Sequence, residues 1–201
     1  MKKQLIKDLH NIGSVKFGEF TLKSGIKSPI YIDLRLLASH PKVLKTIAKL
    51  IAEKIKDKDC DIIAGIPYTG IPMATAVSLE TGIPMIYPRK EIKDYGTKKK
   101  IEGVYKSGDK CIVIDDLITS GASKFETVEP LEAEGLIVQD FVVLVDREQG
   151  GGQLLADKGY NLHSIIRISE LLDTLEDEGL ISKNQVEDVR SFLVENSFVK
   201  K

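Results

Sequence analysis

Five short apolar runs, each bounded by glycine, proline or aspartate, most narrowly limit how this chain can fold. They are "DIIAGIP" (61–67), "IPMIYP" (83–88), "CIVIDD" (111–116), "FVVLVD" (141–146) and "LHSIIRI" (162–168). Each is too short for a typical helix and nearly uniform in hydrophobicity, as strands are when both sheet faces are covered. Helix-like stretches, "GIPMATAVSLETG" and "ASKFETVEPLEAEG", lie between them. The alternation predicts an α/β fold around a parallel sheet flanked by helices.

Residues 1–12 and 41–57 also show helix spacing: Val43, Leu44, Ile47, Ile51 and Ile55 recur at three- and four-residue steps, and Pro41 suits a first turn. Residues 21–35, "TLKSGIKSPIYIDLR", fall outside the α/β rhythm and predict a β-hairpin turning near Ser24 and Gly25. Such a hairpin either closes the core at an edge or covers a ligand as a hood. The segment "ISELLDTLEDEGLISKNQVEDVRSFLVEN" reads as two amphipathic helices joined near Gly179. Pro130 interrupts the second helix-like stretch and should kink it, at about 3 kcal/mol if nothing compensates. Without a repeat or linker to divide it, the chain is expected to form one domain over residues 1–201, with a core at about 41–170.

The balance of 29 basic against 30 acidic residues offers no bulk charge for nucleic acid or a membrane surface, so any basic site must be local. The N-terminus lacks a signal peptide's apolar centre, and no run approaches the ~18 apolar residues of a membrane span, so a cytoplasmic protein is expected. Cys60 and Cys111 border apolar runs and read as buried free thiols. His10, His40 and His163 are scattered without ligand spacing.

Ligands of parallel α/β sheets bind beyond the carboxyl ends of the strands, which singles out four segments. In "DDLITSGAS", Thr119, Ser120 and Ser123 either cap the following helix or, with successive backbone N–H groups, wrap a phosphate monoester at its positive end. Gly121 would let the backbone approach that phosphate. Asp115 and Asp116 suit two sugar hydroxyls, or a magnesium already on the ligand. "GIPYTGIP" has the glycine spacing of a nucleotide-binding loop without its lysine. "RKEIKDYGTKKK" is a solvated basic loop or a mobile clamp for a polyanion such as pyrophosphate. In "DREQGGG", Arg147 either pairs with Asp146 or grips a planar anion.

Together these motifs resemble the type I phosphoribosyltransferases. "LKSGIKSPIYIDLR", "RKEIKDYGT" and "DREQGG" narrow the likeness to the orotate phosphoribosyltransferases, from about Val15 to about Ser169. "VKFGEF" and "GIPYTGIPMAT" are closest to the form in the N-terminal half of bifunctional uridine monophosphate synthases, and a chain ending at Lys201 is too short to add a decarboxylase barrel of about 250 residues. The resemblance implies the type I fold with a small N-terminal hood, formed by about residues 1–40 plus the C-terminal helices. It also implies transfer of ribosyl 5-phosphate from 5-phosphoribosyl 1-diphosphate to orotate, giving orotidine 5′-monophosphate and pyrophosphate.

By the same resemblance, Asp115 and Asp116 meet the ribose, and Leu117, Ile118, Thr119, Ser120, Gly121, Ala122 and Ser123 surround the 5-phosphate. Lys23, Tyr68, Thr69, Arg89, Lys90, Lys93 and Tyr95 serve the diphosphate, and orotate lies between Tyr31, Ile32, Thr119 and Arg147. Arg89, Lys93 and Asp116 are the expected catalytic residues. Magnesium is expected on the diphosphate with no direct side-chain ligand. A homodimer with shared sites and an association with orotidine 5′-monophosphate decarboxylase are the implied partnerships. Thr69, Tyr95 and Ile32 stand where many bacterial members carry lysine, histidine and an aromatic, and the synthase-like forms share the threonine and the tyrosine. A transferase for a purine or uracil would have less use for Arg147 and the hood. A regulatory relative that binds nucleic acid would call for an added domain or a broad basic face.

Overall fold

The computed structural model describes residues 1–22, 25–89 and 100–198. Helix α1 (Lys2–Asn11) leads into a hairpin of β1 (Val15–Thr21) and β2 (Lys27–Ile32), and a 3₁₀ turn (Leu34–Ser39) joins it to α2 (Pro41–Ile55). The α/β core follows as β3 (Ile62–Gly65), α3 (Gly70–Thr81), β4 (Met85–Pro88), β5 (Ile101–Glu102), β6 (Lys110–Ile118), α4 (Ala122–Ala133), β7 (Ile137–Asp146), α5 (Gly151–Asp157) and β8 (Asn161–Arg167). Helices α6 (Ile168–Asp177) and α7 (Lys183–Glu195) close the chain, with Gly179 between them at a φ of +68°.

The six core strands lie in the order β5-β4-β3-β6-β7-β8, all parallel except β5, which runs antiparallel to β4. Successive residues along a strand face opposite sides. Accordingly Ile63, Ile112 and Ile114 join the core under α1, α2, α3, α6 and α7, whereas Ile62, Ala64, Cys111 and Val113 pack under α4 and α5. This two-sided burial is what the unbroken apolar runs require. Cys111 is buried as expected, but Cys60 is only half-buried.

The separate β1–β2 sheet packs on α7, and Val15 and Ile30 feed the first core cluster. The expected hairpin therefore exists, though its first strand starts six residues earlier than residue 21. Helix α4 runs through Pro130 and stops at Ala133. The missing donor falls in the last turn, so it shortens the ladder by a single bond near the helix end. Two elements had no clear sequence signal: the two-residue β5, and α5, which starts inside the glycine run.

Helix α5 fits only because its first residue has no side chain. A Cβ on Gly151 would stand 2.5 Å from Ile118 Cγ1 and 2.7 Å from the Thr119 carbonyl oxygen. Gly151→Ala is therefore expected to lower stability by about 1–3 kcal/mol through overpacking. The readout is a lower denaturant midpoint at unchanged slope. An unaltered midpoint would mean that α5 can shift away from the β6–α4 turn freely.

Candidate active site

Strands β3 and β6 are neighbours, yet the chain leaves β3 toward β4 on one side and leaves β6 toward β7 on the other. A crevice opens beyond the carboxyl ends of two strands whose connections diverge in this way. Here it is a cleft of about 660 Å³. Ile66, Pro67, Tyr68 and Thr69 form one wall, and Asp115, Asp116, Leu117, Thr119, Ser120 and Gly121 form another. Pro88 and Arg89 stand at the β4 end, and Ser123, Lys124, Glu126, Thr127 and Pro130 of α4 complete the lining. The Pro67–Tyr68 peptide bond is cis.

The β6–α4 turn settles one sequence alternative. Gly121 is the N-cap of α4 at a φ of +82°, and no side chain caps the helix. Thr119, Ser120 and Ser123 thus do not serve as caps; they line the cleft beside a helix end that is still open to an anion. Gly121 is also required for a reason other than approach to a phosphate, because a Cβ there would meet the Gly151 carbonyl oxygen at 3.1 Å. Ile118 has a fully buried side chain, and its carbonyl accepts the Arg147 N–H at 3.0 Å, so it is the floor beneath the turn. Ala122 is exposed but does not line the cleft.

The two acids differ sharply. Asp115 is buried, and its carboxylate receives the Asp116 N–H at 2.8 Å on one oxygen and the Lys124 ammonium on the other. Burial pushes its carboxyl up to about 7, while Lys124 pulls the other way. Asp116 is half-buried and accepts the Leu117 N–H at 2.7 Å; among the described residues it has no cationic partner. The Lys124 side chain is only 7% exposed, and its ammonium also donates to the Leu117 carbonyl at 2.9 Å. Sequence reasoning missed this lysine, although Lys124, Val128 and Leu131 share the buried face of α4 at helical spacing.

Arg89 reaches the cleft, and its guanidinium pairs with Glu102 on β5. Backbone pairing continues one step past the strand, from the Arg89 N–H to the Lys100 carbonyl at 2.8 Å. Lys90, Lys93 and Tyr95 between these two residues, and Lys23 in the hairpin turn, lie outside the described residues.

Of the residues assigned to the planar ligand, Thr119 lines the main cleft, whereas Tyr31, Ile32 and Arg147 do not. Tyr31 stacks on Phe20 with ring centroids 5.5 Å apart and accepts a hydrogen bond from Arg35 at 3.2 Å, and Ile32 packs against the core. Arg147 is joined to the β6 end through the Ile118 carbonyl, next to Thr119. Asp146 accepts the Glu148 N–H at 2.8 Å, and no Asp146–Arg147 ion pair forms among the described residues. The Arg147 Nε is buried and finds no acceptor among those residues, and burial lowers the pKa of its guanidinium. A buried donor in that condition is open to an anion or to a bound water.

Known proteins share this architecture. The phosphoribosyl transferase domain family matches residues 35–166. The uridine 5′-monophosphate synthase of Bos taurus is 46% identical over 197 residues, covering 97% of this chain and 41% of its own length. The orotate phosphoribosyltransferase of Methanosarcina mazei is 41% identical over 171 residues, covering 85% of this chain and 91% of its own. The solved UMP synthase of Leishmania donovani matches with a TM-score of 0.89 and 41% identity, over 96% of this chain and 42% of that one. This chain spans about two fifths of the length of the synthases it matches. Family membership follows from the matched domain and from the nearly full-length Methanosarcina relative: the chain belongs to the phosphoribosyl transferase family and, within it, to the orotate phosphoribosyltransferases.

Proposed function

We propose that this chain transfers ribosyl 5-phosphate from 5-phosphoribosyl 1-diphosphate to a ring nitrogen of orotate. The observation that carries the reading is the uncapped α4 N-terminus in the cleft, with three hydroxyls and Asp116 beside it. That combination accepts a phosphate at one end and sugar hydroxyls at the other. Arg147 narrows the base: its buried, unpartnered Nε suits the carboxylate of orotate, which purines and uracil lack.

The C1–O bond breaks with its electron pair leaving on the diphosphate, and the orotate ring nitrogen forms the new bond to C1 as its N–H bond breaks, the proton passing to the departing diphosphate or to water. Arg89, Lys90 and Lys93 would stabilise charge on the leaving group, and the segment carrying Lys93 and Tyr95 would close over the site to exclude water. Asp116 would hold the ribose hydroxyls as positive charge develops on the sugar. No covalent nucleophile on the protein is needed, since the ring nitrogen of orotate is itself the group that attacks C1. Among the described residues no cluster of three or more His, Cys, Asp or Glu could cage a metal. The oxygen-rich cleft wall suits a magnesium ion carried in on the substrate's own oxygens, and such an ion would neutralise charge on the diphosphate. A homodimer sharing its sites, and a decarboxylase partner like the second half of the synthases, belong to the same reading. Among the described residues no helix is long and apolar enough to cross a membrane.

The direct test mixes the protein with Mg²⁺, phosphoribosyl diphosphate and a panel of bases. Orotate absorbance should fall while uracil, adenine and guanine remain; turnover of another base in place of orotate would overturn the assignment. Arg147→Ala should raise the KM for orotate by roughly tenfold or more with little change for the diphosphate, as loss of a charge-assisted contact implies. An unchanged orotate response would remove Arg147 from that role. Lys93→Ala should lower kcat far more than it weakens diphosphate binding, because its charge is needed most as the bond breaks. Equal losses in both would make it a ground-state binder.

A further inference from the structure

A lysine in the first turn of a helix is poorly placed, since the helix dipole already makes that end positive. Lys124 occupies such a position in α4 and is buried as well. Removing an ammonium from water costs several kcal/mol unless strong partners replace the lost hydration. Its partners are the Asp115 carboxylate and the Leu117 carbonyl, at the two sides of Asp116. The lysine therefore ties the first turn of α4 to the acidic end of β6 and fixes one Asp115 oxygen, while the Asp116 N–H fixes the other.

The pair also changes what an incoming ligand meets. Without Lys124 the cleft would present two adjacent carboxylates to a substrate bearing both a phosphate and a diphosphate. With it, Asp115 is compensated and Asp116 is the acid left without a cation among the described residues. Among the described residues, the other charged or titratable groups lining the cleft are Arg89 after β4, Glu126 on α4 and Tyr68 in the β3–α3 loop. Arg89 is engaged with Glu102, and neither Glu126 nor Tyr68 is cationic, so none of them can take over this task.

We infer that Lys124 is a positioning residue for the ribose subsite, acting through Asp115 to orient that carboxylate and to mask its charge from the polyanionic substrate. The inference rests on the reading of the cleft as a phosphoribosyl diphosphate site.

The test is a double-mutant cycle on Lys124→Met and Asp115→Asn, read by titration with phosphoribosyl diphosphate and by KM for each substrate, with circular dichroism confirming the fold. Lys124→Met should weaken phosphoribosyl diphosphate binding by roughly tenfold or more, as truncation of one member of a buried charge pair does, and leave the orotate KM nearly unchanged. Lys124→Arg should recover most of the loss. Adding Lys124→Met to Asp115→Asn should cause little further loss, because the lysine acts through a carboxylate already gone. That last comparison decides the matter even if Lys124→Met alone does not fold. Full loss from Lys124→Met in the Asp115→Asn background would overturn the inference and make Lys124 a direct ligand contact. Unweakened binding by folded Lys124→Met, or equal damage to both substrates, would overturn it too. A wild-type chain that takes up no phosphoribosyl diphosphate would instead sink the function reading first, and the inference with it.

Discussion

The turn between β6 and α4 exists in its open form only because three backbones crowd together behind it. Gly121 backs onto Gly151, and Gly151 backs onto Ile118 and Thr119. A side chain at either glycine would push α5 away from the turn, and with it the loop that carries Arg147. The same crowding accounts for the position of Arg147, whose N–H bonds the Ile118 carbonyl at 3.0 Å. The phosphate end and the base end of the proposed site are therefore one mechanical unit, set by main-chain contacts and by the Ile118 side chain. A single methyl group at Gly151 would disturb that unit.

Polar groups in and beside this cleft are kept in states that stability alone does not favour. Helix α4 forgoes a capping side chain, although serine or threonine in that role is worth about 1 kcal/mol. Asp115 and Lys124 are buried as an ion pair, which a well-packed apolar pair would often match or better. Arg147 holds a buried donor without an acceptor among the described residues. These departures lie beside or within one cleft, and the open helix end and the Arg147 donor are the two that the proposed anionic substrate would complete. Local rules are expected to fail at functional sites in this manner.

Much of this was legible in the chain itself, and the unread parts have identifiable causes. The apolar runs announced the parallel strands because burial on both faces leaves no polar alternation to confuse the pattern. Asp115, Asp116 and the 119–123 turn were visible because polar residues at a strand's carboxyl end have few structural uses. Lys124 was not, since a lysine within a helix normally reads as solvated, and only its step to Val128 and Leu131 marks the buried face. Helix α5 was hidden because "GGG" reads as a turn, whereas here Gly151 is a close-packing position. Strand β5 is two residues long and is defined by its partner β4 rather than by its own sequence. Of the two readings of Arg147, the Asp146 ion pair does not form among the described residues, where Asp146 instead accepts the Glu148 N–H.

The matched family domain ends at residue 166, yet the helices beyond it hold the Arg147 loop in place. The Ser169 N–H at the start of α6 donates to the Glu148 carboxylate at 2.8 Å. Just past α7, the Gln149 side-chain amide donates to the Asn196 carbonyl and the Gln149 main-chain carbonyl accepts the Phe198 N–H, both at 2.9 Å. Glu148 and Gln149 directly follow the arginine, so the start of α6 holds one neighbour of Arg147 and the segment after α7 holds the next. Helix α7 also packs on β2, the strand that carries Tyr31 and Ile32. Lys2–Glu170 and Lys7–Glu178 join α1 to the α6 region, but such exposed pairs contribute little energy. Buried α6 and α7 residues such as Leu171, Leu172, Val186 and Val189 anchor these helices to the core instead. The C-terminal helices are thus the common support of the two elements proposed to embrace the base, the hairpin from one side and the arginine loop from the other. This explains why an α/β sheet already complete at β8 is followed by two further helices.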